Sequence, residues 1–175
     1  MPEPFLGRKD APVVVLLGNP GYSERDHIWH DRPEFRAAIR ENLTHQRTAY
    51  AHPLLDPAFS EASGSLWWTG GLRRLIEATD LWTVADNVLI LEALPYHSKQ
   101  YRGHAIPSQG YTQQLLAQAQ SRDAVVVHVR GPWCRWDPML DSYPHFLRTR
   151  TPQVAHLSPK NLGDEGFRRV VDALY

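Results

Sequence analysis

The sequence predicts an α/β fold, in which helices cover both faces of a central four-stranded parallel sheet to give three αβα layers. Four short apolar runs indicate the strands, at residues 12–17, 87–91, 124–129 and 153–157. The first three are nearly continuous rather than alternating, which is typical of parallel strands buried on both faces. Segments with helical spacing lie between them, and strands that alternate with helices form parallel sheets through right-handed crossovers. We expect one domain over residues 1–175.

The first half of the chain reads as strand, helix, helix and strand. After the strand at 12–17, Pro33 suits the first turn of a helix. Apolar residues recur there four positions apart, at Phe35, Ile39 and Leu43. Residues 65–79 carry a second stripe at helical spacing, formed by Trp68, Leu72, Leu75, Ile76 and Thr79. The run at 87–91 then gives the second strand.

The second half reads as helix, strand, irregular segment, strand and helix. Ser108 suits the N-cap of a helix with an apolar stripe at Tyr111, Leu115 and Ala119. The runs at 124–129 and 153–157 give the third and fourth strands. Asp164 or Asn161 opens the last helix, whose apolar face comprises Phe167, Val170, Val171 and Leu174.

Composition places the chain among ordinary globular proteins. Hydrophobic residues make up 42% and charged residues 22%, which favours neither disorder nor a fibre. The formal net charge is +0, so the chain lacks the overall basic charge that indicates a nucleic-acid partner, although a local basic patch could supply the same field. Cys134 is the only cysteine, which excludes an internal disulfide and a zinc knuckle.

No membrane or export signal is recognisable. The opening residues, MPEPFLGRKD, lack the apolar segment of a signal peptide. No apolar run approaches the roughly 20 residues that span a bilayer. We therefore expect a cytoplasmic protein, for which a monomer is the simplest expectation.

Polar and aromatic residues are concentrated where the predicted strands end. Ligands of open α/β sheets bind beyond the carboxyl ends of the strands, and the segments found there are GNPGYSE, EALPYHSK, RGPWCRW and SPKN. In the first, Gly18 and Gly21 allow unusual backbone angles and Pro20 fixes one, so backbone N–H groups could face an anion or a base edge. A tight turn without a ligand explains these residues equally well. The segment is neither a Walker loop nor a dinucleotide-binding or nucleophile-elbow motif.

Metal-binding patterns are weak, so neither a metal nor another cofactor is predicted. His27 and His30 lie three residues apart and would share a helix face, but a solvated surface segment explains them as well. Cys134 lies between Trp133 and Trp136 and is better explained as a packed side chain than as a nucleophile. The two tryptophans belong either to a lid or to the packed interior.

The first and fourth strand-end segments together resemble motifs of the uracil-DNA glycosylase superfamily. In that family a Gly-x-x-Pro-Gly-like motif follows the first strand, and a His-Pro-Ser-Pro-like motif follows the fourth. Residues 17–21 here read LGNPG and residues 156–159 read HLSP. The Asn-Pro-Gly sequence is similar to that of the mismatch-specific branch. The resemblance covers nearly the whole chain and implies a three-layer glycosylase-like fold and a DNA-repair hydrolase that excises bases.

The resemblance implies catalytic roles for Asn19 and His156. A base flipped out of DNA would enter a pocket between the strand ends. Asn19 would orient the attacking water, and His156 would stabilise the charge that develops on the departing base. The base would contact motif and aromatic residues, namely Gly18, Pro20, Gly21, Tyr22, Phe59, Glu92 and Ser158. The DNA backbone would contact Ser23, Lys99, Arg102, Lys160, Arg168 and Arg169.

Glu92 stands where the family usually has asparagine, at the end of the second strand. A carboxylate donates no hydrogen bond unless it is protonated, so it suits a base edge with N–H donors better than the O4 of uracil. Leu157 also replaces a proline of the fourth motif. Three functions therefore stay open: a base-excising DNA glycosylase, a non-catalytic protein of the same fold that binds nucleic acid or a nucleobase-like small molecule, and an unrelated α/β protein with a metabolite pocket.

Overall fold

The computed structural model describes residues 1–99, 106–130, 136–151 and 155–175. Its strands span Phe5–Leu6 (β1), Val13–Leu17 (β2), Val88–Glu92 (β3), Val125–His128 (β4) and Phe146–Arg148 (β5). They form one sheet in the order β1-β3-β2-β4-β5. The strands β2 to β5 run parallel, whereas β1 pairs with β3 in the antiparallel direction. The fold is therefore α/β with a mixed five-stranded sheet, rather than the four-stranded parallel sheet that the sequence predicts.

The fourth strand predicted at residues 153–157 is not found in residues 155–157, the part of that run that the structure describes. The strand beside β4 is β5, in which Phe146 pairs with Val126. None of the residues of β5 is fully buried, so this strand lacks the continuous apolar run on which the prediction relied. Residues 155–157 lie outside any strand. Instead, the N–H of Leu157 donates to the carbonyl oxygen of Gly71 at 3.0 Å.

The α-helices of the described chain span Asp26–His30 (α1), Pro33–Leu43 (α2), Ser63–Ala78 (α3), Leu81–Asn87 (α4), Gln109–Gln120 (α5), Asp137–Leu140 (α6), Pro159–Leu162 (α7) and Asp164–Asp172 (α8). Short 3₁₀ helices at Pro53–Leu55 and Pro57–Phe59 precede α3. The helices predicted after Pro33, around Trp68, after Ser108 and near the C-terminal end are confirmed as α2, α3, α5 and α8. No helix in the described ranges combines the length and apolarity that a bilayer crossing requires.

Helices pack against both faces of the sheet. Successive side chains of a strand point to opposite faces, so residues 13, 15 and 17 of β2 share an apolar cluster with Leu72 of α3 and Val170 of α8. Residues 14 and 16 belong to a second cluster with Leu115 and Leu116 of α5. The strands β2, β3 and β4 are buried throughout. The prediction of central strands covered on both faces is therefore confirmed.

Candidate functional site

A cavity of about 180 Å³ lies at the carboxyl ends of β2 and β3. Its lining comes from the turn after β2, the end of β3, the segment before β1, and the start of α3. Parallel α/β sheets bind ligands at this edge. The cavity is therefore the candidate functional site, and it lies at the edge of the sheet where the sequence predicts one.

Asn19 lines this cavity with its side-chain amide held in one orientation. The amide Nδ2 is 2.8 Å from the carbonyl oxygen of Pro20, 3.1 Å from that of Ser98 and 3.0 Å from the Ser98 hydroxyl. Carbonyl oxygens only accept hydrogen bonds, so these contacts fix which end of the amide donates. The Oδ1 atom has no hydrogen-bond partner within the described part of the chain, and it is free to accept one from a water or ligand.

Glu92 places a buried carboxyl group in the same cavity. It is the last residue of β3, aligned with Leu17 of β2, and it is only 3% exposed. Its Oε2 is buried without a hydrogen-bond partner in the described ranges. Burial raises the pKa of Glu92 well above its usual value, the nearby Glu3 carboxylate raises it further, and Arg130 opposes the change.

Glu3, His30 and His97 form a titratable cluster in the cavity wall. The Oε1 of Glu3 is 3.2 Å from the Nε2 of His97 and 3.8 Å from the Nε2 of His30. Burial pulls the pKa of His97 down, but the Glu3 and Asp26 carboxylates outweigh it and leave that pKa raised. Burial lowers the pKa of His30, against the opposing effect of Glu3. The cluster can therefore donate, accept or coordinate.

Aromatic rings supply the apolar wall, which comprises Tyr22, Trp29, Phe35, Trp67 and Trp68. Tyr22 is 49% exposed and Trp67 is 41% exposed, which places both at the mouth. Phe59, predicted to stack on a base, does not line the cavity. It packs behind the wall, with its ring centroid 5.2 Å from that of Phe35. Phe59 therefore supports Phe35 from behind and would not touch a ligand in the cavity.

Six of the predicted site residues line this cavity, namely Asn19, Pro20, Gly21, Tyr22, Ser23 and Glu92. Gly18 lies beside them but off the lining, and its carbonyl oxygen accepts the N–H of Leu94 at 2.8 Å. The Asn-Pro-Gly turn and the end of β3 are thus brought together around one space.

The residues of the fourth motif lie elsewhere. His156 is exposed and outside the cavity lining, and its carbonyl oxygen accepts the Nδ2 of Asn161 at 3.0 Å. Ser158 is the N-cap residue of α7. The basic residues predicted nearby, Lys160, Arg168 and Arg169, are also absent from the lining. The structure therefore does not bring His156 together with Asn19 and Glu92.

Four other predicted positions remain, and the structure describes two of them, Lys99 and Trp136. Lys99 is exposed, with its Nζ 5.5 Å from the ring centroid of Tyr22. Arg102 and Trp133 lie outside the described residues. Trp136 is 1% exposed, and its Nε1 donates to the carbonyl oxygen of Leu17 at 3.1 Å. Trp136 is therefore a packed core residue rather than part of a lid.

The sequence pattern predicts no functional role for Glu3 or His97. His97 follows β3 within EALPYHSK, a segment that the sequence does place at this edge. Glu3 precedes a strand of only two residues, which is too short for a periodic pattern. The antiparallel pairing of β1 with β3, together with the hydrogen bond from the Glu3 N–H to the carbonyl oxygen of Pro95, brings Glu3 to the cavity.

Comparisons of this chain with protein-family models, with curated proteins and with solved structures find no match. The likeness to uracil-DNA glycosylases therefore rests on the two motifs and remains a hypothesis.

Proposed function

We propose that the protein binds a nucleobase in this cavity and hydrolyses the N-glycosidic bond that joins the base to DNA. The observation that carries the proposal is the meeting of Asn19 and Glu92 in one aromatic-walled cavity. These are the residues for which the resemblance implies water positioning and base reading. They come from separate segments, the turn after β2 and the end of β3, and both line the same cavity.

The size and walls of the cavity suit a single heterocycle. At about 180 Å³ it is smaller than the roughly 300–1,000 Å³ typical of sites for drug-sized ligands. Aromatic side chains, including Trp29 and Trp67, line the cavity, and bases stack on aromatic rings with little sequence preference. A flipped base can enter such a space while its sugar and phosphates stay outside.

Asn19 and Glu92 divide the chemistry between them. The free Oδ1 of Asn19 accepts a hydrogen bond from the water that attacks the sugar carbon. The unpartnered Oε2 of Glu92 bonds to the polar edge of the base. Lys99 lies beside Tyr22 and forms an exposed ion pair with Glu24 at 3.7 Å. A DNA phosphate would compete with that carboxylate for its charge.

A second candidate function is binding of a nucleobase without hydrolysis. His156, for which the resemblance implies charge stabilisation, is exposed outside the cavity. A site without that group has one less means of stabilising the departing base.

Incubation with oligonucleotides that carry uracil, hypoxanthine, xanthine or a mismatch should yield alkali-sensitive cuts. We expect Asn19→Ala to lower the cutting rate on the order of 100-fold, which is typical of losing a positioned catalytic group. Glu92→Gln should alter the preference among these bases, because it changes the donors and acceptors at the base edge. Cutting is measured by gel electrophoresis after alkali treatment.

His156→Ala is the matched control, because the exposed side chain should leave the rate unchanged. An equal loss in His156→Ala would contradict the assignment of the chemistry to this cavity. Absence of cutting on every substrate, with salt-dependent DNA retention, would refute hydrolysis and favour the binding function.

A further inference from the structure

The side chains of Glu3, His30 and His97 have the composition and spacing of a metal site. One donor atom from each residue lies within 4.8 Å of the other two. Two imidazoles and one carboxylate are a common ligand set for zinc and other first-row divalent metals. All three residues also line the cavity, so a ligand or water could complete the coordination.

The distances are close to those that a metal requires. Ligand atoms about 2.0–2.1 Å from a tetrahedral zinc ion are separated by about 3.3 Å. The Nε2 of His97 and the Oε1 of Glu3 are already 3.2 Å apart. The Nε2 of His30 is 3.8 Å from the same oxygen, and the three donor atoms lie within 4.8 Å of one another. Side-chain shifts of about 1–1.5 Å would bring all three to tetrahedral spacing.

An ion pair between Glu3 and His97 does not account for every polar atom in this wall. The Nε2 of His97 pairs with the Glu3 carboxylate at 3.2 Å, outside directed hydrogen-bond geometry. The Nδ1 of His30 and the Oε2 of Glu92 are also buried without a hydrogen-bond partner there. Unpartnered buried polar atoms are unfavourable. The Nδ1 of His30 and the Oε2 of Glu92 would not themselves bind the metal, so they indicate a polar ligand in the cavity beside it.

The surroundings of His97 orient it as a metal ligand. Its Nδ1 is 2.8 Å from the carbonyl oxygen of Gly21 and 3.4 Å from the Oδ2 of Asp26. A carbonyl oxygen can only accept, so Nδ1 carries the hydrogen and Nε2 faces Glu3. Asp26 is itself held by the N–H of Ser23, at 2.8 Å. Metal-binding histidines usually have such a carbonyl or carboxylate behind them.

We propose that Glu3, His30 and His97 bind one divalent transition-metal ion, with Zn²⁺ the best match to the ligand set, and leave one coordination position open to the cavity. The proposal goes beyond N-glycosidic bond hydrolysis and does not depend on it, since metal binding is measured without DNA. Asp26 is a positioning residue that acts through His97. The exposed His27 takes no part.

Calorimetric titration of the tag-free, EDTA-treated and dialysed full chain with Zn²⁺ tests the proposal. We expect one ion per chain and a thermal midpoint that rises with Zn²⁺ concentration, since an ion that binds only the folded state stabilises it. Co²⁺ should bind at the same place and give the visible absorption of a four-coordinate site with nitrogen ligands. Absence of stoichiometric binding of both ions would overturn the proposal.

Substitutions at and beside the proposed ligands should weaken Zn²⁺ binding to different extents. Glu3→Gln, His30→Gln and His97→Gln should each weaken Zn²⁺ binding by more than about 100-fold, and Asp26→Asn by about 10–100-fold. His27→Gln is the matched control, because it lies on the same helix as His30 but is exposed, and it should bind as the parent does. Binding that survives all three ligand substitutions, or that is lost in His27→Gln, refutes this site. Circular dichroism verifies folding, and if one variant fails to fold, the remaining variants and the Co²⁺ spectrum of the parent decide.

Discussion

Replacement of Gly7 with alanine is expected to lower the free energy of unfolding by about 3 kcal/mol or more, because both backbone strain and a steric clash oppose the new side chain. Gly7 has a φ of 105°, which residues with a Cβ rarely adopt. A Cβ at this position would lie 2.3 Å from the carbonyl oxygen of Val88. That oxygen is part of the backbone at the start of β3, so it cannot turn away as a flexible side chain could.

Gly70→Ala is the matched control for this substitution. Gly70 lies inside α3, and a Cβ there would have no neighbouring atom within 4 Å. Alanine is favoured over glycine in a helix by about 0.5–1 kcal/mol, so this variant should be slightly more stable than the parent. Urea unfolding followed by tryptophan fluorescence measures both changes. A Gly7→Ala protein within about 1 kcal/mol of the parent, the size of an ordinary substitution, would contradict the close approach.

Gly7 matters for the site because it anchors the segment that carries Glu3. The N–H of Gly7 donates to the Oδ1 of Asn42 at 2.8 Å, and the Nδ2 of Asn42 donates to the carbonyl oxygen of Phe5 at 3.0 Å. The N–H of Glu3 donates to the carbonyl oxygen of Pro95 at 2.7 Å. The buried amide of Asn42 thus ties α2 to β1. Loss of this anchor should disturb the proposed metal site as well as stability.

The central strands could be predicted because a strand buried on both faces has to be apolar along its whole length. Each of β2, β3 and β4 satisfies this condition, apart from a polar residue at the carboxyl end of β3 and of β4. Parallel pairing then places the turns after β2 and β3 at one edge. For the same reason Asn19 and Glu92 could be assigned to one site without any structural information.

The rest of the site depends on contacts that no periodic pattern in the sequence indicates. The strand β5 is only partly buried, so the sequence pattern instead predicts the fourth strand in the apolar run after it and places His156 at the cavity. Glu3 reaches the cavity through a two-residue antiparallel strand. Its pairing with His97 joins residues that are far apart in the chain. The local sequence pattern does not show which residues far apart in the chain come into contact.

The folded protein should lose stability in mildly acidic solution because the imidazole of His52 is buried. Its side chain is 0% exposed, and neither ring nitrogen has a hydrogen-bond partner in the described chain. Burial lowers the pKa of His52 from 6.5 to about 3, and Arg47 adds to the effect. Below about pH 6.5 the imidazole of His52 is protonated in the unfolded chain but stays neutral in the folded protein. The stabilisation is therefore fully present above pH 6.5 and is lost as the pH falls towards 3, with about 2 kcal/mol gone between pH 7 and pH 5.

His52→Phe should flatten this pH dependence. Phenylalanine retains a ring against Trp68, whose centroid is 5.3 Å from that of His52, and it removes two unpartnered nitrogens. Loss of these nitrogens offsets the strain of a slightly larger ring, so stability near pH 7 should change by less than about 1.5 kcal/mol. Urea unfolding of parent and variant at several values between about pH 7 and pH 4.5 gives both profiles. Because parent and variant share every other titrating group, the difference between their profiles isolates the proton at residue 52. Equal slopes would mean that the folded protein also binds this proton, and that His52 is accessible to water.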